Sequence, residues 1–515
     1  MAKDPVDRYQ SARGLLHDLE RCLRERRGFE IPPFDLGQED IPEHLEIPDR
    51  LYGRAREVGQ LLEAFERTRQ GGAELLLLDG PSGIGKTALI ESLQPELAES
   101  AGYFTTGKFE QFRSNVPLLG LTQALSRLID RLLIEDEGRI NRWKQRLSDG
   151  LDSTAAVLVP LIPPLVHFVG PQHEAPELGA IESRNRLLLA LGRLISLIAA
   201  TEHPVVLFLD DLQWSDPISL RVIEHFIAVA DAKGLLLIGA YRSDEVDAEH
   251  PLRGVAGRLK DTTEIHLEPL STTAVTELIS DALHVEMSKA HELATSLAGR
   301  TDNNPLLVRQ FLLLLERDGA LFHGANGWTW STDAVRKSKI PSDALGMIRA
   351  KLEQLSAQQR MVLAAATCVG SRFEVASLAA ALQENPADLL PHLIALTDEG
   401  LLALTDTEVC FTHDRIEEGA RHWLESESER QYHKRLGKHL LATTSDEQFR
   451  ERLYEIVEHL NWTIEDESDG ARLLQLANLD LEAGQAGLQA SAPTMAEQHL
   501  GAGLRALKRV EELQP

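Results

Sequence analysis

The stretch Gly80-Pro81-Ser82-Gly83-Ile84-Gly85-Lys86-Thr87 decides the fold of this chain, because it matches the phosphate-binding pattern Gly-x-x-x-x-Gly-Lys-Thr. It follows the apolar run 75–78 and precedes a helical pattern over 88–97, the context that such a loop requires. Its glycines let successive backbone N–H groups face phosphate oxygens, and the positive end of the following helix adds to the field. The stretch therefore predicts a nucleoside triphosphate site.

The residues of this phosphate loop have separate predicted roles. Lys86 reaches the β- and γ-phosphates, and the Thr87 hydroxyl binds Mg²⁺. The other nucleotide-binding positions in the loop are Gly80, Ser82, Gly83 and Gly85. The competing interpretation is a chance glycine-rich turn, and the strand pattern before it and helix pattern after it argue against that.

Two carboxylates end the buried-strand run 205–209. In a phosphate-loop fold the first, Asp210, serves the same Mg²⁺ ion as Thr87. The second, Asp211, is placed to orient or deprotonate the attacking water. An isolated Asp-Asp pair is usually an acidic turn, but five apolar residues before it and a phosphate loop upstream favour a functional role.

A second buried run, 235–241, delivers Arg242 at its C-terminal end. Ligands of open α/β sheets bind at that edge. A cation there can sense the γ-phosphate and stabilise the transferring charge. The candidate catalytic residues are therefore Asp211, Lys86 and Arg242.

Composition and charge narrow the class of protein. The chain has 515 residues, 43% hydrophobic and 26% charged, which suits a globular protein of three or four domains. Its formal net charge of −27 argues against broad affinity for nucleic acid or anionic membrane, because phosphate groups attract positive charge. The three cysteines lie far apart without metal-binding spacing. Neither a signal peptide nor a membrane helix is indicated, so we expect a cytoplasmic protein.

Alternating strand and helix patterns define an α/β domain at 50–270. Its strand candidates are 75–79, 103–108, 205–209, 235–241 and 263–267. The mostly helical span 110–203 is interpreted as an insertion before the third strand. Residues 30–49 are rich in proline and acidic residues, which suits an extended linker between the N-terminal helical segment and this domain.

The alternation stops near residue 271. Residues 271–335 are predicted to form a helical lid and a hairpin around Asn326-Gly327. Residues 336–425 show three helices, two short strands and a helix, the order of a winged helix. Residues 426–515 are helical and indicate the start of a tetratricopeptide-like array. The predicted fold class is an α/β P-loop NTPase with a three-layer parallel sheet, followed by lid, winged helix and α-helical repeats.

Several segments together resemble the STAND class of AAA+-related signalling ATPases, along nearly the whole chain. The likeness is in particular to the ATPase module of large bacterial proteins that join it to a serine/threonine kinase and often to sensor and histidine-kinase domains. The segments that carry it are Leu51-Tyr52-Gly53-Arg54, Gly80 to Thr87, Gly107-Lys108-Phe109-Glu110-Gln111, Phe208-Leu209-Asp210-Asp211-Leu212-Gln213-Trp214-Ser215-Asp216, Gly239-Ala240-Tyr241-Arg242 and Phe411-Thr412-His413-Asp414-Arg415-Ile416.

The resemblance implies further nucleotide-binding residues. His413 is similar to the winged-helix histidine that contacts the phosphates in the closed, ADP-bound state, and Pro305 to the proline beside the adenine. Arg54 belongs to a loop that covers the adenine. Asn303 replaces a family glycine, and Ala55 replaces a family glutamate, so the contact of that glutamate is absent here.

The resemblance also implies an activity and partners. The activity is slow, regulatory ATP hydrolysis with Mg²⁺, which switches the protein between an open ATP state and a closed ADP state. The implied partners are ATP and the kinase or histidine-kinase domains of a signalling pathway. Relatives in this class form homo-oligomers when ATP is bound. Neither membrane nor nucleic acid is an expected partner.

The first residues indicate a neighbouring kinase. The segment 4–12, Asp-Pro-Val-Asp-Arg-Tyr-Gln-Ser-Ala, is similar to the last segment of a protein-kinase domain, so 1–29 is interpreted as the remnant of a kinase C-lobe. The chain contains no kinase glycine-rich loop, His-Arg-Asp or Asp-Phe-Gly motif, so no kinase catalysis is expected. A fragment of a longer protein and the loss of a kinase domain explain this pattern equally well.

Two other functions remain open. A winged helix could read DNA as part of a transcriptional regulator, but residues 345–425 hold six Lys or Arg against twelve Asp or Glu, whereas a groove-binding helix needs a basic face. Alternatively, the nucleotide is a structural cofactor of a non-hydrolysing scaffold. The intact Asp210-Asp211 pair argues against this second alternative.

Overall fold

The structure is a computed structural model. It describes residues 12–26, 33–34, 36, 45, 47–48, 50–109, 117–173, 176, 179–247, 249–259, 262–324, 327–337, 352–404, 408–412, 414–489 and 493–513. The chain divides into two compact units. The first unit comprises the described residues of Met1–Ala55, Gly83–Gly85 and Glu268–Lys351, and the second unit those of Arg56–Ser82, Lys86–Leu267 and Leu352–Pro515.

The secondary structure is mainly helical. The strands are β1 (Ala73–Asp79), β2 (Tyr103–Lys108), β3 (Val205–Asp210), β4 (Leu235–Tyr241), β5 (Thr262–His266), β6 (Leu321–Gly324), β7 (Gly327–Trp330), β8 (Arg372–Phe373), β9 (Leu402–Leu404) and β10 (Val409–Phe411). The helices are α1 (Ala12–Glu25), α2 (Ala55–Arg69), α3 (Lys86–Glu91), α4 (Gln94–Glu99), α5 (Leu119–Leu133), α6 (Glu137–Leu151), α7 (Ala155–Leu158), α8 (Val166–Val169), α9 (Ala180–Ile198), α10 (Pro217–Ala228), α11 (Pro251–Arg258), α12 (Thr272–Leu283), α13 (Met287–Thr301), α14 (Pro305–Arg317), α15 (Thr332–Lys337), α16 (Ala357–Val369), α17 (Val375–Leu382), α18 (Pro386–Asp398), α19 (Asp414–Arg421), α20 (Ser426–Thr443), α21 (Asp446–Asn461), α22 (Gly470–Gln489) and α23 (Pro493–Leu513).

A five-stranded parallel sheet lies at the centre of the second unit, in the order β2-β3-β4-β1-β5. Every residue of β4 is buried, as are all but the end residues of β1. Such continuous apolar strands are typical of a parallel sheet covered on both faces. The predicted strands differ from the observed ones by at most two residues at either end. The phosphate loop, the strand pattern and this sheet define a P-loop NTPase fold.

Helices α5 to α9 occupy the long connection between β2 and β3, where a helical insertion is predicted. Helix α5 packs on β2 so closely that a Cβ on Gly107 would collide with the carbonyl group of Gly120. The buried faces of these helices and of the sheet form one continuous apolar cluster. The insertion helices and the sheet therefore share one core.

The first unit has its own core. Helices α12, α13 and α14 pack with the antiparallel hairpin β6–β7, and buried leucines, Phe311 and Trp328 fill the space between them. The side chain of Asn304 caps α14 by accepting hydrogen bonds from the backbone N–H groups of Leu306 and Leu307. Asn326 of the predicted hairpin turn lies outside the described residues.

Residues 352–412 form a small mixed segment of the second unit. Helices α16, α17 and α18 accompany an antiparallel sheet of order β8-β10-β9. Helix α19 follows directly, and α20 to α23 complete the unit, with α22 packed along α23. Among the described residues, every helix is too short or too polar to cross a lipid bilayer.

Candidate functional site

Three segments leave the parallel sheet at the same edge. Strand β4 lies between β1 and β3, with Tyr241 of β4 opposite Asp79 of β1. The phosphate loop follows β1, Arg242 follows β4, and Asp211 follows β3. Because all these strands run parallel, their carboxyl ends meet at one edge, where ligands of open α/β sheets bind.

The backbone of the phosphate loop contains left-handed turns. Gly83 has a φ of +76° and Gly85 a φ of +98°, values that strain any residue with a side chain. Turns of this kind orient successive N–H groups toward a common point, which makes an anion-binding concavity. The loop conformation therefore fits a phosphate group.

Lys86 begins α3, and its ammonium group lies back over the loop. Its Nζ donates hydrogen bonds to the carbonyl oxygens of Gly80, at 2.8 Å, and Pro81, at 3.2 Å. Burial lowers the pKa of Lys86, and the nearby carboxylates of Asp210 and Asp211 act in the opposite direction. A cation that is mostly shielded from water exerts a strong local field, which suits it to bind phosphate oxygens.

The two predicted Mg²⁺ ligands lie on separate elements. Thr87 has an exposed side chain on the first turn of α3. Asp210 is half-buried at the end of β3, and its Oδ1 accepts the backbone N–H of Asp211 at 3.0 Å. Hydroxyl and carboxylate oxygens are the donors that Mg²⁺ prefers, so the chemistry of this pair fits the ion.

Asp211 is buried, and polar groups contact both of its carboxylate oxygens. Its Oδ1 accepts a hydrogen bond from Nε2 of Gln213 at 2.8 Å and lies 3.6 Å from Nε of Arg242. Its Oδ2 lies 3.4 Å from Nζ of Lys108. The backbone of Asp211 is left-handed, with a φ of +56°, which a non-glycine residue adopts at an energetic cost. The packing therefore holds this carboxylate in one orientation.

Lys108 and Gln213 have no predicted role in the sequence, yet both contact Asp211. Lys108 ends β2 and lies opposite Asp210 in the neighbouring strand. Its position at the end of a strand is the one feature of the sequence that could have indicated a role at the site. Gln213 lies in the turn after β3 and joins two strand ends, because its Oε1 accepts the backbone N–H of Arg242 at 3.2 Å. This link between the ends of β3 and β4 depends on the folded turn and is not visible in the sequence.

Arg242 is 2% exposed and surrounded by carboxylates. Its Nη1 donates to Glu245 at 2.8 Å and to Oε1 of Glu418, in α19, at 3.4 Å, while its Nε faces Asp211. Its guanidinium also lies over the Trp214 ring, 5.0 Å from the centroid. A buried guanidinium needs such compensation for its lost hydration. Arg242 is therefore the centre of a charge cluster.

A second arginine extends this cluster. Arg415 of α19 donates to Oε2 of Glu418 at 3.0 Å and lies 3.8 Å from Oδ2 of Asp244. Glu418 is thus shared between Arg242 and Arg415. Two side chains of α19 consequently contact the segment that follows β4, the strand next to the phosphate-loop strand.

Residues 83–85, the tip of the phosphate loop, belong to the first unit and contact other residues of that unit. The carbonyl of Gly83 accepts the N–H of Leu306 at 3.3 Å, and a Cβ on Gly83 would lie 2.8 Å from the Leu306 Cβ. Pro305 precedes that leucine at the start of α14. Arg54 is buried, and its Nη2 donates to the carbonyls of Ile84, at 3.2 Å, and Glu268, at 2.8 Å. Arg54 thus holds the loop itself, and adenine contacts by Pro305 and Arg54 stay predictions.

Asn303 and His413 are two further residues that the resemblance singles out. Asn303, which replaces the family glycine, has a left-handed φ of +54°, a conformation that asparagine tolerates. His413 lies outside the described residues, and so do Glu110 and Gln111 of the quoted segments.

Comparisons with known proteins are consistent with this site. Residues 50–238 match the family model described as AAA ATPase domain. The chain is 25% identical over 491 residues to hybrid signal transduction histidine kinase G of Dictyostelium discoideum, covering 79% of this chain and 14% of that protein. It is 21% identical over 505 residues to peroxide stress-activated histidine kinase mak3 of Schizosaccharomyces pombe, covering 80% and 21%.

The chain thus spans only a minor part of the length of these curated relatives. Among solved structures, it is similar to a Signal Transduction ATPase with Numerous Domains (STAND) protein with a tetratricopeptide repeat sensor from Pyrococcus horikoshii. That similarity has a TM-score of 0.47 and 16% identity, and it covers 92% of this chain and 60% of the other.

Proposed function

We propose that this chain is an ATP-binding, slowly hydrolysing switch of a signal-transduction protein. The observation that carries the proposal is the sharing of Arg242 between Asp211, at the nucleotide edge of the sheet, and Glu418 of α19. A ligand shifts a two-state equilibrium only through contacts that differ between the states. An arginine that binds either a γ-phosphate or a carboxylate of α19 supplies such a difference.

Binding of the nucleotide rests on the phosphate loop. Backbone N–H groups from Gly80 to Gly85 hold the phosphates, and Lys86 exchanges its two loop carbonyls for β- and γ-phosphate oxygens. Thr87 and Asp210 hold Mg²⁺, which neutralises phosphate charge when bound. The preference for ATP over GTP follows from the family likeness.

Hydrolysis rests on Asp211. An ionised carboxylate is an acceptor only, so Asp211 can accept a hydrogen bond from a water molecule and orient it or take its proton. Gln213 and Lys108 keep the carboxylate in place. Arg242 stabilises charge on the transferring phosphoryl group. Hydrolysis is slow because Arg242 must leave the carboxylate of Glu418 and bind the γ-phosphate before it can stabilise the transferring group.

The regions around the ATPase domain receive their proposed roles from the resemblance. Residues 336–425 form a winged helix whose His413 contacts the phosphates of bound ADP, and 426–515 begin a tetratricopeptide-like array. Residues 1–29 are, by the same resemblance, a remnant of the end of a kinase C-lobe. The histidine-kinase relatives support a signalling role with kinase or histidine-kinase domains as partners. ATP-dependent homo-oligomers and a cytoplasmic location complete the proposal.

One experiment tests the function as a whole. The purified chain is incubated with Mg²⁺ and ATP, and both ADP formation and the nucleotide retained after desalting are measured over hours. We expect tight retention of ADP and turnover limited by its release. An inert binder would retain ATP unchanged, and a protein that retains neither nucleotide would refute the proposal.

The structure gives less support to DNA binding. Helix α18 is the third helix of the 352–412 segment and contains no Lys or Arg. It exposes the apolar side chains of Leu390 and Ile394 instead. A helix in the major groove needs basic or polar residues on its outer face. An electrophoretic mobility assay at physiological salt tests this alternative, and we expect no shift.

A further inference from the structure

Three side chains with metal-binding donors converge between two helices of the second unit. Cys368 lies on α16, and Glu429 and His433 lie on α20. Their ligand atoms, one from each residue, all lie within 4.8 Å of one another. The spacing of the cysteines in the sequence indicates no such site, because the other two donors come from a different helix.

The two helices explain the convergence. Glu429 and His433 are four residues apart on α20, so both side chains project from one face of that helix. Helix α16 packs against α20 and contributes Cys368 from the opposite side. Around one tetrahedral ion with bonds of about 2.0–2.3 Å, ligand atoms lie roughly 3.3–3.8 Å apart. The three donors lie within 4.8 Å of one another, so binding of one ion would draw them closer together.

The surroundings of His433 suit a metal ligand. Its side chain is buried, and a neutral imidazole nitrogen is a common metal ligand. Its ring is fixed from two sides: Nδ1 lies 2.7 Å from Nδ1 of His459, and the ring stacks on Trp462 with centroids 4.6 Å apart. Metal-ligating histidines are commonly oriented by such outer partners.

We propose that Cys368, Glu429 and His433 form a zinc site that joins α16 to α20. A thiolate, an imidazole and a carboxylate are the donor set of Zn²⁺, and the thiolate selects against Mg²⁺ and Ca²⁺. The charges of thiolate and carboxylate together balance the ion. Because the thiolate is the form that ligates a metal, binding of the ion displaces the thiol proton of Cys368 into solvent. With three protein ligands, one coordination position stays open to water or another ligand.

Cobalt is a suitable probe, because Co²⁺ occupies zinc sites and absorbs light. The full chain is dialysed against a chelator and titrated with Co²⁺. We expect one equivalent to bind, with a thiolate-to-cobalt charge-transfer band in the near ultraviolet and displacement by one equivalent of Zn²⁺. Cys368→Ala removes the band, and the matched control Cys410→Ala, at a half-buried free cysteine elsewhere in the same unit, retains it.

Glu429→Gln keeps the test decisive if the buried cysteine variant fails to fold, because Glu429 is only half-buried. We expect it to weaken Co²⁺ binding by at least the roughly 10- to 100-fold loss that changes to hydrogen-bonding partners of ligands cause, with the metal-free unfolding transition unchanged. Absence of the band in the wild-type chain, its survival in Cys368→Ala, or equal affinity in Glu429→Gln would each overturn the zinc site and leave an ordinary buried cysteine. None of these outcomes bears on ATP binding.

Discussion

Arg242 and Glu418 are 176 positions apart in the chain, and Nη1 of the arginine lies 3.4 Å from Oε1 of the glutamate. The arginine follows the strand next to the phosphate-loop strand, and the glutamate belongs to α19. A residue proposed to stabilise γ-phosphate charge is therefore already bound by a carboxylate of a distant helix. In the proposed mechanism, binding of ATP and retention of this contact compete for the same guanidinium.

Loosening that contact should accelerate the proposed reaction. Glu418→Gln removes the negative charge that Arg242 and Arg415 share, and a partly exposed pair of this kind is worth up to about 1 kcal/mol, or about fivefold. We expect ATP turnover and the rate of ADP release to rise by up to that factor. Both are measured with a fluorescent ADP analogue and a phosphate assay.

Glu425→Gln is the matched control for this change, because Glu425 is exposed at the start of the next helix. It should leave both rates unaltered. If Glu418→Gln lowers turnover instead, the glutamate supports catalysis and does not restrain it.

Lys86 should be essential for nucleotide affinity. Lys86→Ala deletes charge-assisted hydrogen bonds to phosphate oxygens, which are worth about 1.5–3 kcal/mol, or about 10- to 150-fold. We expect ATP binding to fall by at least this range in isothermal titration calorimetry. Lys144→Ala, at an exposed lysine of α6, should bind ATP like the unaltered chain.

Asp211 should separate binding from hydrolysis. Asp211→Asn preserves the shape of the side chain and an acceptor for Gln213 but removes the basic carboxylate, and general bases contribute about 10²–10⁴-fold to rate. We expect unchanged ATP affinity and hydrolysis reduced by about that factor in single-turnover assays. Asp231→Asn, at an exposed turn before β4, serves as the comparison. Hydrolysis that persists in Asp211→Asn would assign the base elsewhere.

The stability of the α/β domain should depend on the close approach of β2 to α5 at Gly107. Gly107→Ala places a methyl group against the Gly120 carbonyl, and overpacking of this kind costs about 1–3 kcal/mol. We expect a lower urea midpoint of unfolding. Gly257→Ala, in an exposed helical position with no atom within 4 Å of the added carbon, should be neutral or stabilising by about 0.5–1 kcal/mol.

The strands of the α/β domain were predictable because a buried parallel strand is a continuous apolar run bounded by turns, which is a local pattern. The same holds for the phosphate loop, whose residues are consecutive. Asp210, Asp211 and Arg242 were found by their positions directly after such runs. Lys108 also ends a strand, but nothing local indicates that its neighbour in the sheet carries Asp211.

The sequence by itself thus determined the phosphate loop, the five strands and the carboxyl-end residues that follow them, because these features depend on residues close together in the chain. Only the tertiary structure decided that Gln213 bridges two strand ends, that Glu418 binds Arg242, and that Cys368 meets Glu429 and His433. Each of these contacts joins separate elements, and their meeting depends on how helices and strands pack, which periodicity and spacing do not encode.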